Sequence, residues 1–247
     1  MSDLDFSGKT ALIVGGSSGI GNGIAQAFRK RGADVHVWGT RASAADYADE
    51  AGSDLTGLGY ACVDVGERAA IEATQPSFGK LDILVLSQGQ VLYKRAEFEP
   101  AGWDRVMAVN LDSLLFIANK FRPMLAETKG SLITISSVSG FWSNRGNPAY
   151  AASKAGAISL TKTLGEAWAR EGIRVNGIAP GLVETKMTAV TTQDPKRMET
   201  ILSSIPMRRP GTPEELAGAA LFLASPLAAY MCGHTIVVDG GLSIMGR

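Results

Sequence analysis

Near its start the chain reads Thr10-Ala11-Leu12-Ile13-Val14-Gly15-Gly16-Ser17-Ser18-Gly19-Ile20-Gly21, a short apolar run followed at once by a turn rich in glycine. Apolar residues then recur at helical spacing, namely Ile24, Ala25, Ala27 and Phe28. This pattern predicts a strand, a tight turn and a helix. Glycine lets a ligand approach the backbone closely, and the free amides at a helix N-terminus suit a pyrophosphate. The turn therefore predicts a dinucleotide site, and the alternative is a helix cap without a ligand.

Further apolar runs alternate with helical patterns along the rest of the chain. The predicted strands after the first are residues 34–38, 59–65, 81–86, 131–136, 174–179 and 236–238, and a long helix is predicted over residues 100–127. The alternation is typical of an α/β fold. We expect a Rossmann-type doubly wound parallel sheet of about seven strands, with helices on both faces, in a single domain over residues 1–247.

The composition narrows the classes of function. The 247 residues are 45% hydrophobic and 19% charged, and 24 basic residues balance 24 acidic ones, so no charge pattern marks a nucleic-acid partner or an anionic membrane. The polar start of the chain and the lack of a run of ~18 apolar residues predict no membrane partner and a cytoplasmic location. Cys62, Cys232, His36 and His234 are isolated, so no metal site is expected.

The sequence Tyr150-Ala151-Ala152-Ser153-Lys154 is compatible with one helical turn that brings a phenol and an ammonium side by side. A cation held beside a tyrosine stabilises the phenolate and lowers the pKa of the hydroxyl, so that the hydroxyl can exchange a proton with a substrate oxygen. The alternative is an ordinary pair on a helix surface. Ser137 follows the strand at 131–136, at the end of the sheet where ligands bind, and its hydroxyl can polarise a carbonyl oxygen.

Together with Asn110, these residues resemble the short-chain dehydrogenase/reductase family, in particular its single-domain branch of 3-oxoacyl carrier-protein reductases. The resemblance covers nearly the whole chain. It implies that Tyr150 is the general acid or base, that Lys154 lowers its pKa and holds the nicotinamide ribose, and that Ser137 polarises the oxygen. Asn110 would perturb its helix and support proton relay; otherwise it is a buried asparagine satisfied by the backbone. Ser136 and Ser139 are the alternatives to Ser137, and the separation of Ser137 from Tyr150 is the one that matches the family pattern.

The chain departs from the family pattern at two places. Val14 stands where the family usually has threonine. Leu86, Ser87 and Gln88 stand where it usually has Asn-Asn-Ala, so these side chains are expected to replace polar contacts between neighbouring strands. The glycine of that motif is kept as Gly89.

The cofactor is expected to be NADP(H). The second predicted strand ends in Gly39-Thr40-Arg41, without the carboxylate that commonly holds the ribose 2′-hydroxyl of NAD, so Thr40 and Arg41 are the candidate phosphate partners. The alternative cofactor is NAD(H). The alternative for Arg41 is that it is a solvated loop arginine without a role in binding. The other candidate cofactor contacts, from the glycine turn and from the resemblance, are Gly15, Ser17, Ser18, Gly19, Ile20, Gly21, Asp64, Val65, Gly89, Tyr150, Lys154, Pro180, Gly181, Val183 and Thr185. Asp64 is otherwise a candidate cap for the helix that begins near Glu67.

The expected activity is hydride transfer between the nicotinamide and a small-molecule carbonyl or alcohol substrate. The alternatives are an NAD-dependent alcohol or polyol dehydrogenase and, from another class, a catalytically silent dinucleotide-binding sensor or scaffold. The segment at about 186–209 resembles a mobile substrate lid. The helix carrying Tyr150 has small or apolar residues around much of its circumference, and the resemblance implies a homo-oligomer, a tetramer, through such a helix.

Overall fold

The computed structural model describes residues 3–244, so the first two and last three residues of the predicted domain lie outside the described part. Within that range one sheet contains seven strands: β1 Thr10–Val14, β2 Asp34–Gly39, β3 Gly59–Cys62, β4 Ile83–Leu86, β5 Ser131–Ile135, β6 Arg174–Pro180 and β7 Thr235–Val238. Every pair of neighbouring strands is parallel. The central strands are short apolar runs that are buried on both faces, as parallel sheets require.

The strand order is β3-β2-β1-β4-β5-β6-β7, so the direction of winding reverses between β1 and β4. A crevice at the carboxyl ends of the strands is expected at such a reversal, and this is where open α/β sheets bind their ligands. The predicted Rossmann-type doubly wound sheet is confirmed.

The helices of the described range are α1 Gly19–Arg29, α2 Arg68–Ala73, α3 Pro100–Met107, α4 Ser113–Thr128, α5 Pro148–Trp168, α6 Ala189–Thr192, α7 Pro195–Ser203 and α8 Pro213–Ala224. Two buried clusters show how they cover the sheet. Ala11 and Ile13 of β1 pack with α1 and α8, whereas Leu12 and Val14 pack with α2, α4 and α5. This alternation follows from the two-residue period of a strand and places helices on both faces.

The helix predicted over residues 100–127 is interrupted. A π-helical turn, Ala108–Asp112, separates α3 from α4, and Asn110 lies at its centre with no exposed surface. Apolar periodicity alone did not show the break. After Arg41 the chain forms a 3₁₀ turn, Ala44–Tyr47.

The start of α8 follows its local signals. Thr212 is the N-cap and accepts a hydrogen bond from the Glu215 amide, while the Glu215 carboxylate accepts one from the Thr212 amide. This capping box satisfies amides that the first turn of a helix leaves without partners. Within residues 3–244, no helix is both long and apolar enough to cross a membrane.

Candidate active site

A cleft of about 520 Å³ opens at the carboxyl edge of the sheet, beyond the ends of β1 and β4. Its volume is in the range of small-molecule and cofactor sites. The predicted residues that line it are Gly15, Ser17, Ser18, Gly19, Ile20, Gly21, Thr40, Asp64, Val65, Gly89, Ser137, Tyr150, Lys154, Pro180, Gly181, Val183 and Thr185. Two predicted residues are outside this lining: Arg41 lies beside the cleft, and Asn110 lies behind its wall.

The glycine turn at the start of α1 fits a dinucleotide. Gly15 has φ +74°, and a Cβ there would lie 2.7 Å from the backbone nitrogen of Gln88. A Cβ on Gly21 would lie 2.2 Å from the carbonyl oxygen of Gly15. Side chains are thus excluded by the packing of the turn, which leaves its backbone at the cleft for a pyrophosphate.

Tyr150 and Lys154 lie on adjacent turns of α5, and both belong to the cleft wall. The Lys154 Nζ lies 5.7 Å from the centroid of the Tyr150 ring and donates a hydrogen bond of 2.9 Å to the Ile135 carbonyl oxygen at the end of β5. The Lys154 side chain is almost fully buried. Ser137, two residues beyond Ile135, lies close enough to the Tyr150 phenol for its hydroxyl to lower the pKa of that phenol. The three side chains predicted to act together are therefore adjacent.

The pKa of Tyr150 is shifted upward from the ordinary value of tyrosine, whereas a downward shift was predicted. Burial raises the pKa of the phenol, the hydrogen bond from Ser137 opposes this, and the nearby Tyr93 and Glu97 raise it further. Burial also lowers the pKa of Lys154 from 10.5 to about 8. The expected net lowering of the Tyr150 pKa is wrong for this structure, because desolvation disfavours the charged form of the phenol.

Asn110 links the π-helical turn to two parts of the site. Its Oδ1 accepts a hydrogen bond of 2.7 Å from the Gln90 amide, and its Nδ2 donates to the Gln90 carbonyl oxygen at 2.9 Å and to Ser153 Oγ at 3.1 Å. The side chain is thus satisfied by protein groups, as the alternative interpretation of a buried asparagine requires. Asn110 thereby fixes the loop after β4 against α5, where its contact Ser153 directly precedes Lys154.

The Arg41 guanidinium contacts three residues of its own chain. It pairs with the Glu50 carboxylate, donates to the Asp46 carbonyl oxygen and lies 4.3 Å from the centroid of the Tyr47 ring. Arg41 is therefore not a freely solvated loop residue. A 2′-phosphate would have to compete with Glu50 for it.

Asp64 and Gln88 make contacts that the sequence did not indicate. Asp64 pairs with Arg105 at 3.1 Å, and Glu67 rather than Asp64 is the N-cap of α2. Gln88 Nε2 donates to Ser113 Oγ at 2.8 Å, so the turn after β4 is tied to α4 and not, as expected, to a neighbouring strand. Its Oε1 has no hydrogen-bond partner within the described residues.

The segment after β6 is attached to both sides of the cleft. The Lys186 ammonium pairs with Glu50 on the β2–β3 side. One residue further, the carbonyl oxygen of Met187 accepts a hydrogen bond of 2.6 Å from the Tyr93 hydroxyl on the β4 side. Lys186 and Met187 themselves line the cleft.

Comparison with known proteins places this chain in a family. A family model described as enoyl-(acyl carrier protein) reductase matches residues 14–243, which includes the glycine turn, Ser137, Tyr150 and Lys154. The 3-oxoacyl-[acyl-carrier-protein] reductase of Chlamydia pneumoniae is 39% identical over 98% of this chain and 99% of its own length. The chain belongs to the short-chain dehydrogenase/reductase family.

Other members of the short-chain dehydrogenase/reductase family act on different molecules. The galactitol 2-dehydrogenase (L-tagatose-forming) of Cereibacter sphaeroides is 39% identical, with 96% of each chain covered. The crystal structure of a gluconate 5-dehydrogenase from Burkholderia cenocepacia in complex with NADP and tartrate superposes with a TM-score of 0.87, at 32% identity over 99% of this chain and 98% of that one. This short-chain dehydrogenase/reductase is accordingly an oxidoreductase acting on CH–OH and C=O groups.

Sequence reasoning missed several side chains that shape the site of this short-chain dehydrogenase/reductase. They are Gln90, Glu97, Arg105, Ser153 and Lys186. Ser153 lies within the Tyr150–Lys154 stretch, and its contact with Asn110 is not visible from local spacing. The others contact groups far away in the sequence, so no local spacing marks them.

Proposed function

We propose that this protein is an NADP(H)-dependent oxidoreductase that transfers a hydride between the nicotinamide and a carbonyl/alcohol pair. The observation that carries the proposal is the contiguous group of Ser137, Tyr150 and Lys154 in the wall of a cleft that begins at a glycine turn. A proton donor, a hydrogen-bond donor and a cation at the same edge are what reduction of a carbonyl needs.

Each side chain has a separate role in the proposed reaction. NADP(H), when bound, supplies or accepts the hydride. During reduction, Tyr150 donates its hydroxyl proton to the carbonyl oxygen, and during oxidation the phenolate takes that proton from the alcohol. The Ser137 hydroxyl donates a hydrogen bond to the same oxygen, where negative charge develops. Lys154 contributes positive charge beside the phenol and holds the nicotinamide ribose, and Asn110 supports proton relay by fixing the loop at Gln90.

The experiment that tests this function follows nicotinamide absorbance with purified protein. NADPH or NADH would be supplied with ketoses, oxo sugar acids and 3-oxoacyl thioesters, chosen because related proteins act on galactitol, gluconate and 3-oxoacyl carrier-protein substrates. We expect substrate-dependent oxidation of NADPH. Binding of NADPH without turnover across the panel would favour the sensor or scaffold alternative.

Two observations support NADP(H) over NAD(H), and one opposes it. Several related structures contain NADP. Thr40 lies in the cleft and Arg41 lies beside it. Against this, the Glu50 carboxylate already pairs with Arg41, which keeps the NAD-dependent polyol dehydrogenase as the second candidate. The preference for one cofactor thus depends on the competition between a carboxylate and a phosphate for one guanidinium.

Exchange of Arg41 for alanine measures that competition. We expect the Kd for NADPH to rise about 10- to 100-fold, because a charge-assisted contact to the 2′-phosphate is lost, while the Kd for NADH stays unchanged. The matched variant Glu50→Gln should lower the Kd for NADPH, because Arg41 is no longer neutralised. Fluorescence titration of the reduced cofactors gives both constants. Equal effects of Arg41→Ala on NADPH and NADH would show that Arg41 does not contact the phosphate.

We also propose that residues 186–209 act as a lid over the cleft. The two attachments of Lys186 and Met187 support a closed position. Tyr93→Phe removes only the hydroxyl that holds Met187, so we expect faster hydrogen exchange in residues 186–203, by about fivefold for one lost hydrogen bond. Mass spectrometry of deuterated peptides measures the exchange, and peptides from α8 are the internal control. Unchanged exchange in residues 186–203 would contradict this attachment.

The proposal includes a homo-oligomer, a tetramer by family resemblance. Small side chains of α5, including Ala152 and Ala155, are exposed in the single chain. A helix that is apolar beyond the face it buries is suited to packing against a second copy. Light scattering of the purified protein gives the mass that decides the assembly.

A further inference from the structure

Glu97 is a carboxylate in the interior of the protein. It lies in a 3₁₀ turn, Ala96–Phe98, between the loop after β4 and α3, and only 1% of its surface is exposed. Within residues 3–244 it forms no ion pair with a lysine, arginine or histidine. A buried charge without such a partner is costly unless hydrogen-bond donors surround it.

The donors around Glu97 come from two separate parts of the chain. Its Oε1 accepts hydrogen bonds from the Leu92 amide at 2.9 Å and from Asn147 Nδ2 at 3.1 Å. Its Oε2 accepts one of 2.9 Å from the backbone amide of Tyr150. The carboxylate therefore joins the loop after β4 to the residue proposed as the proton donor.

The contact with Tyr150 replaces a local helix cap. Tyr150 is the third residue of α5, so its amide has no partner within the helix. The N-cap residue, Asn147, makes no capping bond with its side chain and instead donates to Glu97 and to the Leu92 carbonyl oxygen. A negative charge at a helix N-terminus is also favourable to the helix dipole. Glu97 thus caps α5 from a distant position in the sequence.

Both backbone groups of Tyr150 are held by the same framework. Glu97 accepts from its amide, and Ser153 Oγ donates to its carbonyl oxygen at 2.8 Å. Ser153 in turn accepts from Asn110, which holds Gln90 in the loop after β4. The position of the phenol is therefore determined by contacts at both ends of its residue.

We propose that Glu97 is a positioning residue for Tyr150, which holds the first turn of α5 so that the phenol faces Ser137 and which sets the charge around the phenol. This inference rests on the proposed role of Tyr150. The charged and polar groups that act on the phenol are Lys154 on its own helix, Tyr93 and Glu97 from the side of the β4 loop, and the Ser137 hydroxyl. The negative charge of Glu97 raises the pKa of Tyr150 and so favours the protonated phenol.

Two variants separate position from charge. Glu97→Gln keeps the size of the side chain but removes the charge and one acceptor. We expect kcat to fall about 10- to 100-fold, as for a displaced catalytic group, with the Kd for NADPH within about twofold of wild type. The rise of the oxidation rate with pH should move to lower pH, because a negative charge that favours the protonated phenol is removed. Glu97→Asp keeps the charge but shortens the reach, so kcat should fall while the pH dependence stays that of wild type.

The controls identify a purely structural effect. Glu99→Gln removes an exposed carboxylate two residues away and should leave kcat and the pH dependence unchanged. Circular dichroism gives the folded fraction of each variant. Phenolate absorbance, taken as the difference between each protein and its Tyr150→Phe counterpart, follows the Tyr150 titration without turnover.

Distinct outcomes decide the two proposals. If Glu97→Gln has wild-type kcat per folded molecule and an unchanged phenolate titration, the positioning role is wrong. If the wild-type protein shows no turnover with any carbonyl compound while the phenolate titration still shifts in Glu97→Gln, the proposed function fails and the coupling of Glu97 to Tyr150 stands. Reduced kcat together with the shifted titration supports both.

Discussion

Exchange of Tyr150 for phenylalanine should lower kcat for NADPH-dependent carbonyl reduction by about 100- to 10,000-fold, the range that general acid catalysis contributes. The variant removes one oxygen atom, and the ring that lies beside Lys154 is retained. NADPH binding should therefore be nearly unchanged. Steady-state kinetics and a cofactor titration give the two quantities separately.

A second tyrosine provides the matched control for this experiment. Tyr230 is fully exposed, so Tyr230→Phe removes the same atom at a position remote from the cleft. The Tyr230→Phe variant should have wild-type kcat. Turnover of Tyr150→Phe within about threefold of wild type would show that another group donates the proton, and the assignment of Tyr150 would have to be abandoned.

Exchange of Lys154 for methionine should change both activity and the pH dependence of stability. The value of kcat/KM should fall about 100-fold or more, because a cation beside the developing charge is removed. The stability effect follows from burial, which lowers the Lys154 pKa from 10.5 to about 8. Below pH 8 the lysine is protonated in both the folded and the unfolded state, and the folded state bears the full cost of desolvating the charge.

Between about pH 8 and pH 10.5 the unfolded chain binds this proton and the folded protein does not. The wild-type free energy of unfolding should therefore rise with pH across this window, by about 3 kcal/mol relative to Lys154→Met. Urea denaturation of the ligand-free proteins at a series of pH values measures the difference. Lys162→Met, an exposed lysine of the same helix, should follow the wild-type curve. Parallel curves for wild type and Lys154→Met would show that Lys154 keeps its ordinary pKa in the fold.

The fold could be predicted because the signals for its strands and turns are carried by residues that are neighbours in the sequence. The run Thr10–Val14 ends where the glycine turn begins, and the structure has that strand with the same bounds. The other strands follow their apolar runs, with ends that differ by a few residues. The family and the class of enzyme are confirmed by the comparisons. The individual roles of Asn110, Ser137, Tyr150 and Lys154 stay predictions.

The parts that sequence reasoning missed depend on long-range contacts or on burial. Glu97 lies 53 residues from Tyr150, and nothing in the polar stretch around it distinguishes it from exposed Glu99. The pairing of Arg41 with Glu50 depends on how the loop after β2 folds back. The direction of the Tyr150 pKa was predicted wrongly because spacing shows which charges are near but not how much water is excluded.

The π-helical turn at Ala108–Asp112 accommodates one extra residue between α3 and α4, which otherwise form one continuous helix. Each residue of a regular helix advances the facing direction by about 100°, so the extra residue rotates everything after it relative to everything before it. Loss of a single residue here would rotate α4 relative to α3. The apolar face of only one of the two helices could then remain packed in its present position. Insertions and deletions should therefore be far less tolerated at this point than equal changes in length at the surface ends of α3 or α4.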